Sequence, residues 1–464
     1  AGCDDAPPPP PDTSVERCEA LPASVRERLD SFITERMQQG HMPGLSLAIL
    51  QDGKTVCLKG YGLANVETKE PMTPRSRVSI GSSTKPMTAL AVMQQVEAGK
   101  VDLDAPVTRY LPWFRTADGL QEQILVRHLL THTSGLPLGY VWNAPHDEHA
   151  LEQRVRALAD VKLRFTPGQG ALYANDGFAV LGLIVQTVSG KPFTQYLTDS
   201  LFTPFGMTHT LLDPESLEGP DIAQGYVRTR SQLLPKSPPW STAHVPAGSA
   251  TYMAAEDAAR YVTGLLAGGM GPGGRVLSTQ HLERMWQPLG IPDKGASWFL
   301  EQMFNRRAVH HGGNTPIGSS MFLMFPEERT AVVVLNNRNS LVANDVARGV
   351  SALLFGEEPP AASSTGERPP STFVPDPQVW RDYVGTFDTE LGRLDIVVDG
   401  GRLWADFHAL NPLVRTELEA YGDNDFSARD EFGALEGTTI SFQQEPNGDL
   451  TLFLDGAPAG KRVP

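Results

Sequence analysis

The chain has 464 residues, long enough for two or three domains with a large core, and its 20% charged and 40% hydrophobic residues are those of an ordinary globular protein. A net charge of -15 and a pI near 5.2 argue against a main role in nucleic-acid binding, which needs a basic surface, and against a polybasic membrane anchor. No stretch approaches roughly 18 consecutive apolar residues, so no transmembrane helix is expected.

The opening, Ala1-Gly2-Cys3-Asp4-Asp5, looks like the tail of a bacterial lipoprotein cleavage site, with Cys3 as the lipid-bearing residue. The prolines at 7–11 then read as a stiff tether, and the expectation is an exported protein, periplasmic or anchored to a membrane surface through Cys3. The other two cysteines, Cys18 and Cys57, are either a disulfide or two buried thiols.

After the tether (1–21), Leu21, Val25, Leu29, Phe32 and Ile33 recur at helical spacing, with Gly40 as the stop. Residues 45–50 and 55–58 flank Asp52-Gly53 and read as a β-hairpin. A second hairpin is signalled by 320–325 and 330–335 around a turn at 326–329. Most of the chain between them reads as helix and loop. The expected fold is α+β: one antiparallel sheet built from both ends of a domain spanning 22–355, with a helical insertion. A Pro- and Ser-rich linker follows at 356–375. From 376 to 464, short strands separated by Asp399-Gly400-Gly401 and Asn447-Gly448 read as a small all-β barrel domain.

Three blocks carry candidate chemistry. Ser82-Ser83-Thr84-Lys85 is the only Ser-x-x-Lys in the chain, and an apolar helical pattern follows it. That spacing places Ser82 and Lys85 side by side at a helix start, where an amine of lowered pKa can take the serine proton and free backbone N–H groups can meet an oxyanion. Tyr173-Ala174-Asn175 is the only Tyr-x-Asn. A phenol beside a lysine can relay a proton, and Asn175 can hold a substrate amide. His310-His311-Gly312-Gly313-Asn314 lies just before the second hairpin, and its glycines allow close approach of a ligand to the backbone; alone it would be a Gly-rich turn.

Taken in order, these blocks resemble the serine β-lactamase-like family, which includes class C β-lactamases, D-Ala-D-Ala carboxypeptidases, D-aminopeptidases and related esterases. Supporting stretches include 126–137, among them His132-Thr133-Ser134-Gly135, and 181–185. The resemblance implies that Ser82 is the acylated nucleophile, Lys85 its base, Tyr173 the proton relay and Asn175 a substrate anchor. It also places His311 at the third motif and the oxyanion hole at the N–H groups of Ser82 and Asn314, next to Gly313. The family's frequent Lys-Thr-Gly is missing, and with it a fixed charge for a substrate carboxylate. The segment from Tyr383 resembles the lipocalin-like barrel of some members.

The implied activity is hydrolysis through an acyl-enzyme, first of D-Ala-D-Ala or other D-amino-acid peptides, with carboxylesters as the alternative and a non-catalytic binding protein as the rival. The expected partner is a small-molecule or peptide substrate, and no cofactor or metal is implied. His128 and His132 have a zinc-like spacing, but Leu129 stands where a metalloprotease helix needs Glu. Residues 269–274 fit a dinucleotide glycine pattern, but Pro272 would break its helix. No Gly-x-Ser-x-Gly is present.

Overall fold

Alternation in the apolar runs builds a two-sided sheet. The computed structural model describes residues 18–141, 147–212, 217, 221–228, 233–237, 241–363, 371–374, 376, 378–389, 392–408, 410–411, 414–429, 439–454 and 457–463. Strands β1 (Gly44–Gln51), β2 (Lys54–Asn65), β3 (Glu70–Pro71), β4 (Phe299–Met303), β5 (Arg306–Thr315), β6 (Gly318–Phe325) and β7 (Thr330–Asn336) form one antiparallel sheet in the order β4-β5-β6-β7-β1-β2-β3. The two ends of the domain meet at its centre, where Leu47 of β1 lies opposite Val334 of β7 and Ile49 opposite Val332.

Because side chains alternate along a strand, each strand feeds two cores. Leu45, Leu47, Ile49, Leu323, Val332 and Val334 pack with Leu29 and Ile33 of α1 (Ala23–Gln39) and Val346 and Val350 of α6 (Val342–Phe355). Ala48, Leu50, Phe322, Met324 and Val333 face a larger core shared with α2 (Lys85–Glu97), α4 (Asn175–Ser189) and α5 (Ala255–Leu266). α2 is buried nearly all round, which explains why its sequence is apolar on every side. Between α2 and α4 lies α3 (Ala150–Ala157). Cys18 and Cys57 form a disulfide that ties the segment before α1 to β2.

Eight C-terminal strands, β8 (Gly385–Thr389), β9 (Gly392–Asp399), β10 (Arg402–Phe407), β11 (Val414–Gly422), β12 (Asp425–Arg429), β13 (Thr439–Gln444), β14 (Leu450–Leu454) and β15 (Ala457–Arg462), close a barrel in sequence order. The ring shuts where Phe387 of β8 pairs Arg462 of β15. Phe387, Ile396, Leu403, Phe426, Phe442 and Leu452 share its buried core. The expected turns at Asp399-Gly400-Gly401 and Asn447-Gly448 join β9 to β10 and β13 to β14. Among the described residues, Arg164 Nη1 of the first domain lies 2.6 Å from Asp388 Oδ1 of the barrel, and the short strand Leu410–Asn411 pairs in parallel with Tyr140–Val141. Cys3, the 7–11 prolines and linker residues 364–370 lie outside the described residues.

Candidate active site

The Ser-x-x-Lys block is not the start of an α-helix, as its spacing suggested. Gly81–Thr84 form a 3₁₀ turn, and α2 begins at Lys85 with Pro86 in its first turn. Proline is the reason. Residue 86 has no N–H to give the Ser82 carbonyl four residues back, and the Lys85 N–H takes that carbonyl instead. In the tighter turn, positions three apart eclipse, which sets the Lys85 amine 3.0 Å from Ser82 Oγ.

The turn is stitched to the sheet. Ser320 Oγ of β6 donates to Ile80 O at 2.7 Å and lies 2.7 Å from Ser83 Oγ, which also donates to His311 O. The third block is accordingly a strand, β5, and not a Gly-rich turn. Its glycines serve the contact with the 3₁₀ turn. A Cβ on Gly313 would sit 1.8 Å from Ile80 O, and one on Gly81 (φ +54) would sit 2.9 Å from Asn314 N. The Asn314 backbone nitrogen therefore lies against Gly81, the residue before Ser82.

Lys85 is fully buried, and burial holds its amine well below the ordinary lysine pKa. Besides Ser82, its Nζ meets Asn175 Oδ1 at 2.8 Å and Ala247 O at 2.9 Å. Both of these are carbonyl oxygens and can only accept. A neutral amine has two N–H bonds and one lone pair; with both N–H groups given to carbonyls, the lone pair faces the Ser82 hydroxyl. That is the orientation a general base needs.

Tyr173 is hydrogen-bonded to the Ser82 side chain, and burial raises its phenol above the usual tyrosine range against that bond. It remains a proton carrier that starts from the neutral state. Asn175 opens α4, with its N–H donating to Leu138 O at 2.8 Å. His132 stacks on the Tyr173 ring at 4.2 Å, and its Nδ1 accepts the Ala174 N–H at 3.1 Å. Burial, with Lys85 and His311 nearby, holds His132 well below the usual imidazole range, so it braces Tyr173 as an uncharged ring.

Strand alternation separates the two neighbouring histidines. His311 shares the face of Val309, toward the large core and Lys85, whereas His310 shares the face of Ala308 and meets Glu301 at 3.1 Å. Burial, and then Lys85, push the His311 imidazole down to about 3, and Nδ1 donates to Gly312 O at 2.6 Å. Its Nε2 is buried without a partner among the described residues. The third block thus offers a neutral acceptor and no cation.

Ser82, Lys85, Tyr173, Asn175, His311, Gly313 and Asn314 thus converge on one place. In comparison with known proteins, the family model described as Beta-lactamase matches residues 29–356. The chain belongs to the beta-lactamase family. Protein flp of Staphylococcus aureus (strain MRSA252) is 29% identical over 325 residues, which cover 68% of this chain and 63% of that protein. Esterase EstB of Burkholderia gladioli is 34% identical over 200 residues, 40% of this chain and 51% of that one. The chain thus spans between about half and two thirds of the length of these relatives. The octameric penicillin-binding protein homologue from Pyrococcus abyssi shares the fold at a TM-score of 0.64 and 23% identity, covering 94% of this chain and 100% of that one. The chain is a beta-lactamase-fold member of a serine hydrolase family.

Sequence reasoning did not single out His132 for the site, although it lies within the supporting stretch at 126–137.

Proposed function

We propose that the protein hydrolyses uncharged carboxylesters through an acyl-enzyme on Ser82. Lys85 takes the Ser82 proton as Oγ attacks the acyl carbonyl, and the N–H groups of Ser82 and Asn314 receive the oxyanion. Tyr173 relays that proton from Lys85 to the departing alcohol, giving its own and taking the one that Lys85 received. Water then attacks the acyl-enzyme, returning the acid and restoring the serine hydroxyl.

The observation that carries the ester reading is the neutral His311. A substrate ending in carboxylate gains most from a fixed cation at the third motif, and a buried imidazole held near pKa 3 supplies none at neutral pH. Its free Nε2 suits a substrate or water that donates a hydrogen bond. The similarity to an esterase supports the same reading. D-amino-acid peptides are the second reading, favoured by Asn175: its Oδ1 is taken by Lys85, which leaves its NH₂ to meet a substrate amide carbonyl.

The test compares a D-alanyl-D-lactate depsipeptide with its carboxylate free or methylated, alongside p-nitrophenyl butyrate. Equal or better kcat/KM for the methylated form supports the ester reading. A gain of tenfold or more from the free carboxylate would move the assignment to the carboxypeptidase class. We also read the protein as exported, a placement supported by the Cys18–Cys57 disulfide.

A further inference from the structure

We propose that Asp176 and His244 are positioning residues for the reaction, clamping together the two carbonyl groups that aim the lone pair of Lys85 at Ser82. This rests on the acyl-enzyme reading above. Asp176 is fully buried in the first turn of α4. Its Oδ1 accepts Arg154 Nε at 2.8 Å and faces His244 Nε2 at 2.9 Å, while Oδ2 accepts Arg154 Nη2 at 2.6 Å. Burial works to raise its carboxyl, but the hydrogen bonds from His244 and Arg154 outweigh it and hold Asp176 ionised. As a carboxylate it can only accept, so His244 donates.

The geometry gives this cluster a task beyond filling a helix interface. Asn175, whose Oδ1 takes one Lys85 N–H, is the residue before Asp176. Ala247, whose carbonyl takes the other, ends the 3₁₀ segment Thr242–Ala247 that carries His244. That segment has non-helical backbone at His244 (φ -118, ψ 19) and contains Pro246, which has no N–H to give. Pro246 O accepts from Thr88 Oγ1 of α2 at 2.7 Å, and the His244–Asp176 bond holds it to α4. Burying a carboxylate costs several kcal/mol unless it is well paired, and an apolar contact would hold two elements at lower cost. The ionic cluster instead fixes direction, as hydrogen bonds do and apolar packing does not.

If the clamp opens, Ala247 O and Asn175 Oδ1 move apart, the lone pair loses its aim, and water reaches the amine. The titratable groups facing Lys85 are Tyr173 and, behind it, His132; His311 on β5; and Asp176, His244 and Arg154 on the α4 side, with Lys294 beyond His132. Asp176 loses one of its hydrogen bonds when His244 is replaced but keeps both from Arg154, so a shift of the acid limb to higher pH is read as Lys85.

The experiment measures kcat and KM for p-nitrophenyl butyrate between pH 5 and 9, per active site titrated with a fluorophosphonate, in His244→Phe, His244→Asn and His244→Gln. Phe cannot donate and Asn is too short to reach Asp176; Gln keeps a donor at the right distance. The expected result is a roughly ten- to hundredfold fall in kcat for Phe and Asn, with KM within about twofold. Their acid limb should move to higher pH as hydration returns Lys85 toward its ordinary pKa, and Gln should recover most of the rate. Phe or Asn variants with the parent rate and an unmoved acid limb would overturn the proposal, as would a Gln variant no better than Phe. Ser82→Ala separates this from failure of the parent reading. An active Ser82→Ala enzyme would sink the acyl-enzyme itself, whereas an inert one beside an unaffected His244→Phe would sink the clamp alone.

Discussion

Replacing Lys85 by Met tests whether the buried amine is neutral, because it changes how stability responds to pH. Lys85 is fully buried and its folded-state pKa is pushed well down by desolvation, while in the unfolded chain it titrates near 10.4. Between those two values the unfolded chain holds a proton that the folded chain has released, so folding becomes more favourable as pH rises. The slope for one proton is about 1.4 kcal/mol per pH unit. Lys85→Met has no such proton. It orphans Asn175 Oδ1 and Ala247 O, at about 1–3 kcal/mol each, but this offset does not depend on pH. Urea unfolding of both proteins at pH 8 and 9 should therefore show the unmodified chain losing stability relative to Lys85→Met on going from pH 9 to 8, by up to about 1.4 kcal/mol. Parallel stabilities at the two pH values would mean that Lys85 stays charged in the fold, and its role as a base would fall.

Other consequences are separable. His311→Ala removes the neutral acceptor on the Lys85 side of β5 and should lower kcat/KM by roughly five- to 150-fold, the equivalent of about 1–3 kcal/mol. His310→Gln, on the opposite face beside Glu301, should change it by less than about threefold; the reverse ranking would show that the wrong histidine has been placed in the site. Tyr173→Phe should cost about 10²–10⁴ in kcat if the phenol relays the leaving-group proton, and a near-normal rate would transfer that task to another group. Cys57→Ser opens a 39-residue loop and should cost about 3–4 kcal/mol of stability by loop-closure entropy, read from urea unfolding without reductant.

The central hairpins were legible in the sequence because alternation and tight turns are local signals, and β1–β2 and β6–β7 follow them closely. The candidate-site blocks were legible because each is short and all three stand in a recognisable order. The detail within them was less so. That Ser82 sits on a 3₁₀ turn follows from Pro86 taking the hydrogen-bond donor away from the Ser82 carbonyl, a competition that a periodicity reading does not weigh. That the His311 block is a strand was hidden by its glycines, which read as a turn but serve close approach to Ile80. The clamp was not readable at all, since Arg154, Asp176 and His244 are 22 and 68 positions apart and each alone is an ordinary polar residue. The contact between the barrel and Tyr140–Val141 likewise depends on two distant segments meeting.

The most direct measurement is the intact mass of the protein acid-quenched during turnover of p-nitrophenyl butyrate, with Ser82→Ala treated in parallel. A butyryl adduct that maps to Ser82 and is missing from Ser82→Ala is the expected result. Butyryl transfer to another residue, or turnover by Ser82→Ala at the parent rate, would contradict an acyl-enzyme on Ser82.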